Sequence, residues 1–223
     1  LAMVRRWMAL RLGHSNADIY RELCRKVAPL RIVDKSPVYA LHKEYLQRID
    51  KAFPGARYLH LLRNPRTQGE SILQVADGVM AILSDSVDYS TDPPTVDPQL
   101  AWHRVQSNIE EFLKGISPVR QLRLRGEDLL NDREQQLRAI CAWLDITADE
   151  TAINAMLHPE CSPFASLGPL GAHLGNDINF LRSPALRPGR VSCPSLEGPL
   201  SWREDGQGLR PEIMAMARRM GYS

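Results

Sequence analysis

The chain has 223 residues, which suits one globular domain or at most two small ones. It is 43% hydrophobic and 24% charged, which excludes a disordered or fibrous chain, and no apolar run reaches the ~18 residues of a membrane span. The 28 Lys and Arg nearly cancel the 26 Asp and Glu, leaving +2, so no basic excess marks a nucleic-acid binder, although one anionic ligand can still meet a local basic pocket.

Taken in chain order, Ser15 or Asn16 caps a helix running through Asp18 to Lys26. Arg31-Ile32-Val33-Asp34 reads as a short strand. Leu41, Tyr45, Leu46, Ile49 and Phe53 then recur at helical spacing until Pro54-Gly55. Tyr58-Leu59-His60-Leu61-Leu62 is nearly continuous apolar sequence, as expected of a parallel strand covered on both faces. A helix is predicted from Arg66 to about Leu83, and a loop over 84–98. Ala101, Val105, Ile109, Phe112, Leu113 and Ile116 line one face of a long helix, and Val119–Leu124 is a further strand candidate. Asp132 and Gln135 resemble a capping box ahead of Leu137, Ile140, Cys141 and Leu144. Strands alternating with helices imply a parallel α/β sheet with right-handed crossovers.

The character changes near Leu157. Half of the 16 prolines and half of the 14 glycines fall within 159–211, so this stretch is expected to wrap irregularly over the core, with a closing helix from Pro211 to Met220. The expectation is one domain over 1–223, with the α/β core in 1–157 and the wrap and closing helix in 158–223. Cys24, Cys141, Cys161 and Cys193 are scattered, without the spacing of a zinc site or a disulfide scaffold, and fit a reducing compartment.

One stretch carries chemistry. Arg63 leaves the C-terminal end of the apolar strand, the edge where ligands bind in open α/β sheets. Pro65 pre-sets a helix start, whose free N–H groups and positive dipole end favour an anion. Ser71, eight residues after Arg63, adds a hydroxyl about two turns on. A guanidinium and a hydroxyl beside a helix start make a reasonable phosphate receptor. Lys35, at the end of the neighbouring expected strand, would bring a compact positive charge to the same edge.

These residues carry a family resemblance. Lys35-Ser36-Pro37, then Phe53-Pro54-Gly55-Ala56-Arg57-Tyr58-Leu59-His60-Leu61-Leu62-Arg63-Asn64-Pro65 with Ser71, resembles the PAPS-dependent sulfotransferases, and bacterial members in particular. Leu124-Arg125-Gly126-Glu127-Asp128-Leu129 looks like that family's "RYEDL" element. Trp202-Arg203 and Met220-Gly221-Tyr222 look like the end of bacterial members. The resemblance implies an α/β fold of the P-loop-NTPase-like type, a three-layer sandwich with a central parallel sheet flanked by helices, plus the irregular C-terminal wrap. It implies that Arg63 and Ser71 bind the 3′-phosphate of 3′-phosphoadenosine 5′-phosphosulfate, and that Lys35 sits near the transferred sulfuryl group. Arg187 and Arg190, in Leu186-Arg187-Pro188-Gly189-Arg190, partly match a C-terminal Arg-Lys-Gly turn that also grips this phosphate.

Three departures stand out. Residues 1–30 hold one glycine and no Ser/Gly/Thr-rich turn for the 5′-phosphosulfate, and the chain starts at Leu1 rather than Met; the family's first strand and loop are expected to be missing from it. Gly126 stands where the family has a tyrosine. Pro37 stands where cytosolic members have a catalytic His.

Sulfuryl transfer needs in-line positioning and neutralisation of the leaving phosphate, the role given to Lys35, and needs no metal. A general base for the acceptor hydroxyl is sought among the six His, with His103 and His173 as candidates; His60 lies in the strand and reads as structural. The expected activity is therefore transfer from PAPS to a hydroxyl on a small molecule, a glycolipid or a carrier-bound acceptor, in the cytoplasm. A nucleotide kinase-like phosphotransferase would need GxxxxGK[ST], which this sequence lacks. The other alternative is a non-catalytic relative that binds a nucleotide or a partner.

Overall fold

The computed structural model describes residues 2–162, 182–186 and 189–223. In chain order its elements are α1 (Ala2–Ala9), α2 (Asn16–Val27), α3 (Lys43–Ala52), β1 (Tyr58–Leu62), α4 (Pro65–Leu73), α5 (Val79–Leu83), β2 (Val87–Asp88), β3 (Thr95–Val96), α6 (Pro98–Lys114), β4 (Gln121–Arg125), α7 (Gly126–Asn131), α8 (Arg133–Leu144), α9 (Glu150–Leu157) and α10 (Pro211–Arg219). The chain divides into two units, one of Leu1–Lys35 with Asp132–Gly189, the other of Ser36–Asn131 with Arg190–Ser223.

The first unit is helical among the described residues. The Ser15 hydroxyl caps α2 by accepting from the Asp18 N–H at 3.2 Å, and Asp149 caps α9 by accepting from the Ala152 N–H at 2.8 Å. Cys141 and Ile153 are the buried residues of α8 and α9. Two expectations fail here. Asp132 precedes α8 but makes no side-chain capping bond; only its carbonyl enters the helix, accepting from Gln136 N. Arg31–Asp34 forms no strand among the described residues. Its polar groups go elsewhere: Arg31 donates to the Leu144 and Asp145 carbonyls at the end of α8, and Asp34 accepts from the Tyr20 hydroxyl at 2.7 Å. The β-branched Ile32 and Val33 suggested a strand, and side-chain bonds to helices replaced the ladder.

The second unit holds the sheet. β1 and β4 run parallel, in register from Tyr58 opposite Gln121 to Leu62 opposite Arg125, so both strands end at one edge. His60 and Leu62 are buried, but Leu59 and Leu61 are 44% and 54% exposed. The strand is thus parallel as expected, while the described residues do not close its Leu59–Leu61 face as its apolar run implied. Helix α6 begins at Pro98 after Asp97 and buries Trp102, Gln106, Phe112 and Leu113. The core gathers Leu62 and Trp102 with Leu196, Leu200, Leu209, Ile213 and Met216 of the C-terminal segment. Burial of such side chains contributes roughly 1.5–3 kcal/mol each. A smaller cluster of Phe112, Leu113 and Ile116 packs against Tyr58, Leu46 and Ile109.

The helix predicted from Arg66 to Leu83 is interrupted. It ends at Leu73, passes through a 3-10 turn over Val75–Gly78, and restarts as α5 because Gly78 takes the left-handed φ of +85°. The predicted loop over 84–98 contains the short antiparallel pair β2–β3. The closing helix is α10, as expected. Residues 189–210 carry turns but no helix or strand, and the rest of the expected wrap lies largely outside the described residues. No helix among the described residues is long and apolar enough to cross a membrane.

Candidate functional site

The residues with anion-binding chemistry meet where β1 and β4 end. Arg63, Asn64 and Pro65 turn the chain from β1 into α4. Asn64 is fully buried and is the N-cap: its side-chain oxygen accepts from the Arg66 N–H at 2.9 Å. The turn is anchored on three sides. The Asn64 N–H donates to Glu127 Oε1 of α7 at 2.9 Å, Trp102 Nε1 of α6 donates to the Arg63 carbonyl at 3.1 Å, and Asn64 Nδ2 donates to the Pro194 carbonyl at 2.9 Å. α7 follows β4 directly, and Gly126 lies so near the Leu62 carbonyl that a Cβ there would approach it to 3.2 Å. A glycine where the family has tyrosine therefore suits the close approach of the two strand ends.

On this anchored turn the Arg63 side chain is exposed, and its Nε donates to Thr67 Oγ1 at 3.3 Å. Thr67 in turn donates to the Asn64 carbonyl at 3.2 Å. Ser71, half-buried, is four residues beyond Thr67, so Thr67 and Ser71 share one face of α4, and Arg63, in the turn before the helix, is tied to that face by its bond to Thr67. Among the described residues the guanidinium makes only this one hydrogen bond, so its other N–H groups remain for an anion. Thr67 was missed by sequence reasoning, although its spacing of four from both Arg63 and Ser71 was available. Arg66, which looks equally cationic in sequence, is committed elsewhere: it donates to the carbonyls of Glu197, Gly198 and Pro199.

None of the other expected residues belongs to this turn or to α4. His103 is half-buried on α6, one residue after the Trp102 that bonds Arg63. Arg190 is exposed on an irregular stretch. Lys35 is exposed, belongs to the other unit, and does not end a strand as expected. His173 and Arg187 lie outside the described residues. An open cleft of about 560 Å³ borders α6, lined among others by His42, Lys43, Arg104, Asn108 and Lys114, and it includes neither Arg63 nor Ser71.

His60 is structural, as its place in the strand implied. It is 5% exposed, with Nε2 2.7 Å from Gln106 Oε1 and Nδ1 without a partner among the described residues. Burial holds the imidazole below its ordinary value of 6.5, against the opposing effect of the Gln106 bond. The unfolded chain therefore takes up this proton near pH 6.5 while the folded protein does not, and stability falls as pH drops through that value toward the folded one. His60→Gln should show a shallower loss of Tm between about pH 7 and pH 5 than the parent. Parallel profiles would remove His60 as the titrating group.

The sequence model of the sulfotransferase family matches residues 3–150, more than half of the chain. The chain belongs to the sulfotransferase family. Two solved structures share the fold of this sulfotransferase. The sulfotransferase domain from the curacin biosynthetic pathway superposes with a TM-score of 0.71 at 24% identity, covering 93% of this chain and 68% of that one. The sulfotransferase domain from the Synechococcus PCC 7002 olefin synthase gives a TM-score of 0.71 at 24% identity, covering 100% of this chain and 69% of that one. These likenesses fix the fold class as the α/β, P-loop-like sandwich. No curated protein matches the sequence.

Proposed function

We propose that this sulfotransferase moves a sulfuryl group from 3′-phosphoadenosine 5′-phosphosulfate to a hydroxyl acceptor. The observation that carries the reading is the exposed Arg63 in the turn between a parallel strand and α4, bonded to Thr67 in the first turn of that helix, with Ser71 one turn further on the same face as Thr67. The guanidinium and the hydroxyls hold the 3′-phosphate. The acceptor oxygen attacks sulfur in line; the new S–O bond forms as the bond to the 5′-phosphate oxygen breaks, and adenosine 3′,5′-bisphosphate leaves. Lys35 neutralises that leaving phosphate. The acceptor proton passes to a general base, for which His103 and His173 are the candidates, and Arg190 is a further phosphate contact. No step calls for a metal.

The acceptor is a hydroxyl-bearing small molecule, glycolipid or carrier-bound intermediate. Two relatives of this fold are named for a biosynthetic pathway and an olefin synthase, which favours a biosynthetic intermediate. Four free cysteines, three of them exposed, suit a reducing compartment and so the cytoplasm.

Calorimetric titration with adenosine 3′,5′-bisphosphate, beside ATP, tests the reading without knowledge of the acceptor. Binding of the bisphosphate that ATP does not match is expected. Absence of binding, or equal binding of ATP, would overturn the assignment. Binding without turnover across an acceptor screen would favour the non-catalytic relative.

A further inference from the structure

Glu127 is a buried carboxylate that the proposed chemistry does not use. It is 5% exposed, and no Arg or Lys pairs with it among the described residues. The cation nearest in sequence is taken by its neighbour: Arg125 forks onto Asp128 at 2.7 and 2.9 Å. Glu127 instead accepts two hydrogen bonds, from the Asn64 N–H at 2.9 Å and from the Tyr222 hydroxyl at 3.0 Å. Burial, and next the Glu127 charge, push the Tyr222 hydroxyl well above its ordinary value, so it stays protonated and remains the donor. Tyr222 is itself pinned, with the Arg125 guanidinium 5.5 Å from its ring and Arg125 bonded to the Gly221 carbonyl.

The Asn64 N–H lies before the first turn of α4 and has no helical acceptor, so without Glu127 it is a buried orphan. It also belongs to the same rigid peptide plane as the Arg63 carbonyl, which accepts from Trp102 Nε1. Both polar atoms of the Arg63–Asn64 peptide are thus held by side chains from other elements. Fixing that plane fixes the direction in which Arg63 leaves the backbone. We infer that Glu127 is a positioning residue: locked by Tyr222, it orients the Arg63–Asn64 peptide and so aims the guanidinium at the 3′-phosphate. The role rests on the nucleotide reading of Arg63 given above.

The measurement is the ratio of dissociation constants for adenosine 5′-monophosphate and adenosine 3′,5′-bisphosphate, which isolates the 3′-phosphate. Glu127→Ala should lower the preference for the bisphosphate about tenfold, in the range for residues coupled through one hydrogen-bond network. Glu127→Gln, which keeps an oxygen for the Asn64 N–H, should restore most of it. In an Arg63→Ala background, Glu127→Ala should leave the ratio nearly unchanged. Where Glu127→Ala does not fold, Trp102→Phe, which frees the other end of the same peptide, should produce the same fall. A purely structural role lowers Tm and both affinities while leaving the ratio intact, and a folded variant with an intact ratio would overturn the inference. Parent protein with no preference for the bisphosphate would overturn the reading of Arg63, and the role of Glu127 with it. Preference lost in Arg63→Ala but kept in Glu127→Ala would overturn the role of Glu127 alone.

Discussion

Arg63→Ala is expected to weaken adenosine 3′,5′-bisphosphate binding by about 1.5–3 kcal/mol, the worth of a hydrogen bond to a charged group. That is roughly a 10- to 150-fold rise in Kd. The expectation follows from how little else engages this side chain: it is exposed, and among the described residues it makes a single 3.3 Å bond, to Thr67. Its removal leaves no buried group orphaned, so Tm should barely move while affinity falls. That split separates a ligand contact from a packing residue. A Kd within twofold of the parent would end the assignment. Lys35→Ala, measured alongside, should lower turnover more than bisphosphate affinity. An effect confined to affinity would move Lys35 from chemistry to binding.

What was legible in the sequence was local. The strand Tyr58–Leu62 stood out because a nearly continuous apolar run sits between Gly55 and Pro65, and Arg63 and Ser71 stood out because their spacing is read along one segment. The family motif and the strand pattern pointed to the same turn. What was hidden depends on residues far apart in the chain. Glu127 and Tyr222 lie in segments that resemble the family's, but nothing local in the sequence says that folding brings one to the Asn64 N–H and the other to Glu127. Trp102 looks like a core aromatic, and its N–H is spent on the Arg63 carbonyl. The break in the predicted Arg66–Leu83 helix rests on one left-handed glycine, Gly78, which apolar periodicity passes over. The misread strand at Arg31–Asp34 has the opposite cause: its residue types favour a strand, but strand formation needs a partner that local sequence does not supply.

The largest loss of stability should follow substitution of Asp97, which sequence reasoning did not single out. Its side chain is only 2% exposed and accepts three hydrogen bonds, from Trp202 Nε1 at 3.0 Å, Gln99 Nε2 at 2.8 Å and Arg203 Nη1 at 2.9 Å. Gln99 in turn accepts from the Arg210 N–H at 2.8 Å. Asp97, with the Gln99 amide it holds, therefore joins the start of α6 to both ends of the segment 202–210. That segment bears on the candidate site, because Trp202 rests against Gly69 in the middle of α4: a Cβ at Gly69 would come within 2.5 Å of the indole. The helix that carries Thr67 and Ser71 is thus backed by an indole that Asp97 orients. Asp97→Ala would strand the buried Gln99 amide, the half-buried Trp202 indole N–H and half of the ion pair of Arg203, a change that generally costs about 3–5 kcal/mol. Arg203 keeps Asp205, whose carboxyl its guanidinium holds down at about 2, so the loss should fall near the lower end, about 3 kcal/mol. Asp97→Asn, which keeps one acceptor, should lose less. Urea unfolding would show this as a lower midpoint at unchanged slope. A loss under about 1 kcal/mol, the size of an ordinary exposed ion pair, would mean that solvent reaches these donors and that Asp97 does not hold the segment in place.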